Sequence, residues 1–144
     1  MVYNDNLEAI KLKDISFYEK LVECSKSEEF FSPQTIASKS GMNITQVDYN
    51  GKKVCLNSVY NPINEAKMFL SKMKNVYEYS SVTIFGLANG IIVNYLIENM
   101  PQTTKFVIFE PCFEIFQYAL SEFDLTPIIN NENIFIANIE IFFY

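Results

Sequence analysis

Apolar residues recur along the first part of the chain with the spacing of helices. Between residues 6 and 23 they lie among Glu and Lys with a roughly helical spacing. This pattern predicts one or two amphipathic helices, with a break at Asp14 or Ser16. The apolar positions are Leu7, Ile10, Ile15, Tyr18, Leu21 and Val22.

Two further helix starts are marked by a capping residue followed by proline. Ser32-Pro33 and Asn61-Pro62 each place a good N-cap before a residue that suits the first helical position. We expect a short helix after Ser32 that ends at Gly41, and a longer amphipathic helix after Asn61. The apolar stripe of the longer helix consists of Ile63, Ala66, Phe69, Leu70 and Met73.

Between these two signals lies the pattern of a β-hairpin. Residues 44–49 and 52–56 are both rich in β-forming side chains, and Asn50-Gly51 separates them. Asn-Gly suits a two-residue hairpin turn because both turn residues need positive φ. We therefore predict an antiparallel hairpin, with a structural or docking role.

The second half of the chain alternates short apolar runs with longer helical segments. The runs show no polar alternation, which is typical of strands buried on both faces in a parallel sheet. The predicted strands span residues 82–85, 106–109 and 134–136, and the predicted helices span residues 91–100 and 112–123. Residues 124–132 are expected to form a loop.

The patterns together predict an α/β fold. N-terminal helices and a β-hairpin, over residues 1–60, are followed by a three-strand parallel Rossmann-like (methyltransferase-like) start over residues 61–144. We expect this second region to be an incomplete sheet, joined by right-handed crossovers.

Composition narrows the possible functions. The 144 residues carry a net charge of -6 and contain no His. An acidic chain without a Lys/Arg cluster argues against nucleic-acid binding. The absence of His excludes His-dependent triads and His-metal chemistry within this chain. We predict no catalytic residue and no metal ligand here, and we expect the three Cys to be reduced thiols.

A glycine-rich turn is the candidate functional motif. Gly86, Ala88 and Gly90 follow the first predicted parallel strand, and Glu110 ends the second strand 24 residues after Gly86. Glycines there let a ligand approach the backbone, and a helix start offers free N–H groups to an anion. An acid at the end of the second strand typically bonds ribose hydroxyls. These four residues therefore predict a nucleotide site, with the cofactor unknown.

A structural interpretation of the same motif stays open. Dinucleotide enzymes place a third glycine where this chain has Ala88, and methyltransferases usually carry an acid just before the loop. Gly86 and Gly90 would then only form a tight turn. Glu110 would cap the following helix together with Pro111.

Several short segments resemble the amino-terminal part of the motility-associated-factor family. The hairpin and the Tyr-Asn-Pro helix start are the more specific of them, and the resemblance covers the chain from Asn6 to about Asn138. The matching segments are Asn6-Leu7-Glu8-Ala9, Tyr49-Asn50-Gly51-Lys52, Asn57-Ser58-Val59-Tyr60-Asn61-Pro62, Glu65-Ala66, Phe85-Gly86-Leu87-Ala88-Asn89-Gly90 and Phe109-Glu110-Pro111.

The resemblance implies a role in bacterial flagellin glycosylation. Members are glycosyltransferase-like proteins with a domain named for an archaeal hydroxymethylpterin diphosphokinase. They are thought to transfer a nonulosonic acid from its CMP form to Ser or Thr of flagellin. Members are several hundred residues long, and the domain expected to bind the sugar nucleotide lies downstream. The resemblance therefore implies an accessory module that is not catalytic alone and meets flagellin through the full-length protein.

Two other classes of function remain as alternatives. One is a nucleoside- or S-adenosylmethionine-binding enzyme fragment, and the other is a protein-interaction module.

The longest apolar run is too short for a transmembrane helix, and the amino terminus lacks the pattern of a signal peptide. We therefore expect a cytoplasmic protein with no membrane partner.

The carboxyl end predicts self-association. Residues 139–144 are Ile-Glu-Ile-Phe-Phe-Tyr, which is β-prone and almost uncharged. Such a segment needs burial, and the open edges of a three-strand sheet favour pairing. We expect a homodimer or larger oligomer that deletion of residues 139–144 shifts towards monomer in light scattering.

Overall fold

A computed structural model describes residues 1–24 and 29–138 of the chain. Two α-helices are followed by an antiparallel sheet, a third helix and a three-strand parallel sheet with its crossover helices. The elements are α1 (Val2–Lys13), α2 (Ile15–Glu23), β1 (Gln34–Ala37), β2 (Asn43–Tyr49), β3 (Lys52–Cys55), α3 (Pro62–Lys72), β4 (Ser81–Phe85), α4 (Ile91–Asn99), β5 (Lys105–Glu110), α5 (Phe113–Glu122), α6 (Thr126–Ile129) and β6 (Ile134–Asn138). The predicted α/β class is confirmed.

The break between the first two helices falls at Asp14, one of the two predicted positions. Its backbone is extended, and its side chain accepts a hydrogen bond from the Phe17 N–H at 2.9 Å. Asp14 therefore ends α1 and caps α2, because a short acceptor side chain satisfies an amide of the first turn.

The helix predicted after Ser32-Pro33 is wrong, and the strand β1 takes its place. Ser32 has a φ of +42°, and its N–H donates to the distant Glu114 carboxylate. Because β1 pairs antiparallel with β2, its backbone groups bond to that strand instead of to a helix. Gly41, with a φ of +84°, lies between the two strands and does not end a helix.

The predicted hairpin and the helix after Asn61 are both confirmed. Asn50 and Gly51 have φ of +50° and +74° between β2 and β3. The Asn61 side chain accepts from the Ile63 and Asn64 N–H groups, and Pro62 opens α3. Both elements follow from short-range turn and capping chemistry.

The second sheet is parallel, as the alternating pattern predicts, and its strand order is β4-β5-β6. The central strand β5 buries Phe106, Ile108 and Glu110. The expectation that every strand is buried on both faces is wrong for β4, where exposed and half-buried residues alternate. β4 is an edge strand, so one side of it has no neighbouring strand among the described residues.

The segment predicted as a loop at residues 124–132 contains the short helix α6. The Asp124 carboxylate accepts from the Thr126 N–H at 3.0 Å, and Pro127 lies in the first turn. Ile128 and Ile129 of this helix are fully buried. A helix of a single turn is not stable by itself, and the burial of these two side chains stabilises it.

The N-terminal helices share the core of the parallel sheet. Ala9, Ile10 and Leu21 belong to the same buried cluster as Phe113 and Phe116 of α5. The division into residues 1–60 and 61–144 stays a prediction. Residues 139–144 lie outside the described residues, and so the tail-mediated oligomer also stays a prediction.

Candidate functional site

The turn between β4 and α4 is held in an unusual backbone conformation. Gly86, Ala88 and Gly90 all have positive φ, at +90°, +47° and +79°. Glycine adopts this region freely, whereas a side chain at the same φ is strained by about 1 kcal/mol or more. The motif found in the sequence is therefore a tight left-handed loop at the carboxyl end of a parallel strand.

Glu110 lies against this loop, as the sequence predicted. Its Oε2 accepts a hydrogen bond from the Leu87 N–H at 2.8 Å, and its Oε1 accepts from the Cys112 N–H at 3.1 Å. The side chain is only 3% exposed. Asn138 of β6 donates to the backbone oxygen of Glu110 at 2.6 Å. The carboxylate therefore connects the glycine loop to Cys112, the residue that precedes α5. The capping of α5 by Glu110 and its bond to a ribose both stay predictions.

Burial raises the pKa of Glu110 above its usual value. The hydrogen bonds from backbone N–H groups of Leu87, Cys112 and Ala88 act in the opposite direction but do not cancel the effect. The folded protein therefore holds a proton on this group at pH values where the unfolded chain has lost it.

The stability contributed by Glu110 should fall as the pH rises. It is fully present below the usual value of 4.5 and is lost as the pH passes through the raised folded-state pKa. The Glu110→Gln variant has no ionisable group at this position, so it lacks this pH-dependent contribution to stability. Melting curves from pH 4 to 8 should show the wild type losing stability relative to Glu110→Gln as pH increases. A relative gain with rising pH would contradict the assignment.

Asn89 is part of the site, and the sequence interpretation missed it. Its Oδ1 accepts from the Ile91 N–H at 3.2 Å, and its Nδ2 donates to the Asn43 oxygen of β2 at 3.1 Å. The side chain therefore occupies the first amide of α4 and ties the loop to the antiparallel sheet. Asn side chains commonly accept from the backbone N–H two residues on, so an Asn at this position is a detectable turn signal.

Gly90 also allows a close approach between elements. A Cβ at this position would lie 2.8 Å from Ile128 Cδ1 and 2.9 Å from Leu125 Cδ2, whereas a Cβ on Gly86 would meet nothing within 4 Å. Leu125 and Ile128 are fully buried, so neither side chain can swing into solvent.

Gly90→Ala should therefore destabilise the protein more than Gly86→Ala. Both substitutions strain a left-handed residue, at roughly 1–2 kcal/mol, and only Gly90→Ala adds overpacking of roughly 1–3 kcal/mol. Chemical denaturation of the two variants measures the difference. Equal losses would show that the core beside Gly90 relaxes without cost.

A cleft of about 580 Å³ opens beside the loop, between β4 and α3. Its walls are mainly apolar and include Phe69, which the sequence placed on the buried stripe of α3 but which is half exposed. Two carboxylates, Glu65 and Glu110, line the cleft, and none of its described lining residues is Lys or Arg. The cleft is therefore apolar with an acidic character.

Asn57 adds an unsatisfied group to the cleft wall. The residue is 6% exposed and lines the cleft. Its Oδ1 is buried without a hydrogen-bond partner in the described part of the chain. A buried carbonyl left unbonded costs about 1–3 kcal/mol.

Residues 1–24 and 29–138 contain neither a cluster of metal ligands nor a membrane-spanning helix. No group of three or more His, Cys, Asp or Glu side chains comes together there in a way that suits a metal ion. Nor does any helix in those ranges have both the length and the apolar character needed to cross a bilayer.

The fold and the loop define an α/β module with a Rossmann-like glycine turn braced by an acidic residue. The family model described as Glycosyltransferase Maf N-terminal domain matches residues 2–143, and the chain belongs to this family. The predicted resemblance is thereby confirmed. No curated protein and no solved structure matches the chain.

Proposed function

We propose that the chain is an accessory, non-catalytic module of a bacterial glycosyltransferase that adds a nonulosonic acid to flagellin in the cytoplasm. The observation that carries the proposal is the match to the N-terminal domain of Maf glycosyltransferases over nearly the whole chain. The module contacts flagellin within the full-length enzyme.

The chemistry of the cleft supports a non-catalytic role. A CMP-activated nonulosonic acid carries a phosphate and a carboxylate, both negative. The cleft presents Glu65 and Glu110 and no cationic lining residue among those described, and the Leu87 N–H is already bonded to Glu110. Like charges in a partly desolvated cleft repel, so an anionic donor is disfavoured there.

The test is a transfer assay with separated parts. The purified chain, a full-length member of the family and the same member without its N-terminal domain are each given CMP-activated nonulosonic acid and flagellin. Mass spectrometry of flagellin should show no transfer by the chain and full transfer by the full-length enzyme. Transfer by the chain alone would overturn the proposal, as would undiminished transfer without the domain.

A second candidate function is nucleoside or S-adenosylmethionine binding at Gly86, Ala88, Gly90 and Glu110. The adjoining cleft supports it, because its volume lies within the range of small-molecule sites. Isothermal titration with CMP, S-adenosylmethionine and NAD is the test. We expect no measurable binding by the chain alone. Binding that Glu110→Ala removes without loss of fold would favour this candidate.

A further inference from the structure

The outer edge of β4 carries backbone groups that point away from the sheet. The Ser80 oxygen accepts from the Lys105 N–H at 3.0 Å, and the Gly86 N–H donates to the Phe109 oxygen at 2.8 Å. Because these groups alternate along a strand, the N–H and C=O groups of Ser81, Thr83 and Phe85 face outward. No strand of the described residues pairs with them.

Within residues 1–24 and 29–138, this edge has none of the features that prevent pairing. Natural edge strands are protected by Lys, Pro, bulges or a covering element. The sequence of β4 is Ser-Val-Thr-Ile-Phe, without charge or proline. The cleft runs along four of its five residues, Val82 to Phe85, so there is open space between the edge and α3. Asn57, whose buried Oδ1 has no hydrogen-bond partner among the described residues, is one of the residues that line the same cleft.

One face of the parallel sheet is also incompletely covered. Phe85 is 78% exposed and Phe135 is 52% exposed, and the register places Val107 and Phe109 on the same face, both half-buried. None of these four residues belongs to the main core cluster. The opposite face joins the core through Val82, Ile84, Phe106, Ile108, Ile134 and Ile136.

The open edge and the exposed face have one common explanation. Parallel sheets are normally covered on both faces. The order β6-β5-β4 is the first half of a doubly wound sheet, in which the next strand pairs with the first one and its crossover helix covers the other face. Both surfaces lack a partner in the part of the chain that the structure describes, and both are those that a second half would occupy.

We propose that the outer edge of β4 and the exposed sheet face dock a parallel strand and an amphipathic helix, supplied by the polypeptide that lies C-terminal to this domain in Maf glycosyltransferases. The proposal rests on family membership and on the sheet, not on the proposed role in glycosylation. The docked strand carries no acidic residue towards Glu65 and Glu110, because those carboxylates would repel it.

The crevice for a nucleoside would then be completed only in the docked form. Ligands of doubly wound folds bind at the carboxyl ends of the strands, where the strand order reverses. In this chain that point lies between the glycine loop and the docked strand. A full-length enzyme would then present a different site from the isolated chain.

The experiment divides a full-length family member after the position that corresponds to Asn138, and co-expresses its C-terminal part with this chain. Thr83→Pro removes an outward N–H and leaves the bonds to β5 in place, since proline is tolerated at such edge positions. Thr83→Val is the matched control because it keeps that N–H. We expect co-purification with the wild type and Thr83→Val, and at least tenfold weaker capture by Thr83→Pro.

Hydrogen exchange keeps the test independent of whether Thr83→Pro folds. In the wild-type chain the Thr83 amide should exchange quickly, and in the complex at least tenfold more slowly. No complex, an unchanged Thr83 exchange rate, or equal capture by a folded Thr83→Pro would overturn the proposal. So would a dimer of the chain alone that Thr83→Pro dissociates in light scattering, because a second copy would then occupy the edge.

Discussion

Replacing Asn6 by alanine is expected to lower the free energy of unfolding by about 3–4 kcal/mol. The Asn6 side chain is fully buried. Its Nδ2 donates to the Leu120 and Phe123 oxygens at 2.8 and 2.7 Å, and its Oδ1 accepts from the Leu125 N–H at 2.9 Å. Alanine leaves three backbone groups at the end of α5 without partners.

Denaturant unfolding followed by circular dichroism measures this loss, which corresponds to a melting temperature lower by roughly 10 °C. Asn4→Ala is the matched control, since it makes the same change on the exposed side of α1 and should stay within about 0.5 kcal/mol of wild type. Equal effects of the two substitutions would show that the contacts of Asn6 do not hold α1 on α5.

Replacing Glu114 by alanine is expected to cost about 3 kcal/mol. The carboxylate of this α5 residue accepts from three consecutive backbone N–H groups, those of Phe30, Phe31 and Ser32, at 2.9 to 3.1 Å. Hydrogen bonds to a charged acceptor contribute about 1.5–3 kcal/mol each when buried, and less here because the bonds are only partly buried. Their loss frees the segment that leads into β1.

The effect should be local as well as global. Hydrogen exchange of the β1 amides should accelerate in Glu114→Ala more than that of the β5 amides, because Glu114 connects the antiparallel sheet to α5. Glu114→Gln keeps one acceptor oxygen and should lose about half as much stability. Glu122→Ala, an exposed change near the end of the same helix, is the control. Uniform acceleration in both strands would contradict a local tie.

Parts of the candidate site could be predicted from the sequence because residues close together in the chain determine them. Gly86 and Gly90 indicated a tight turn, which the structure shows to be left-handed, and Glu110 ends the strand that brings it beside that turn. The carboxyl ends of adjacent parallel strands always lie at one edge of the sheet, so the meeting of loop and acid followed from topology. The sequence left open whether Glu110 binds the protein's own backbone or a ligand, since both need the same acceptor atoms.

The burial of the strands depended on neighbours that a sequence pattern does not specify. β4 and β5 are both apolar runs, yet Ile108 is fully buried, whereas Ile84, its register partner on the same face, is only half-buried. The difference arises from position in the sheet, because β5 is central and β4 lies at an edge. An apolar run predicts a strand that must be buried by neighbouring elements, but it does not identify those elements.

What the sequence by itself determined about this protein are the features whose physical cause lies within a few residues. The Asn50-Gly51 turn and the Asn61 cap follow from the φ preferences and acceptor atoms of the residues themselves. Tertiary structure decided what depends on distant partners. Ser32-Pro33 carries the signal of a helix start, but Glu114, 82 residues away, binds the Ser32 N–H, and β2 pairs with the strand that follows. The burial of Asn6 was likewise decided by α5, because hydrogen bonds over such separations form only when the chain has packed.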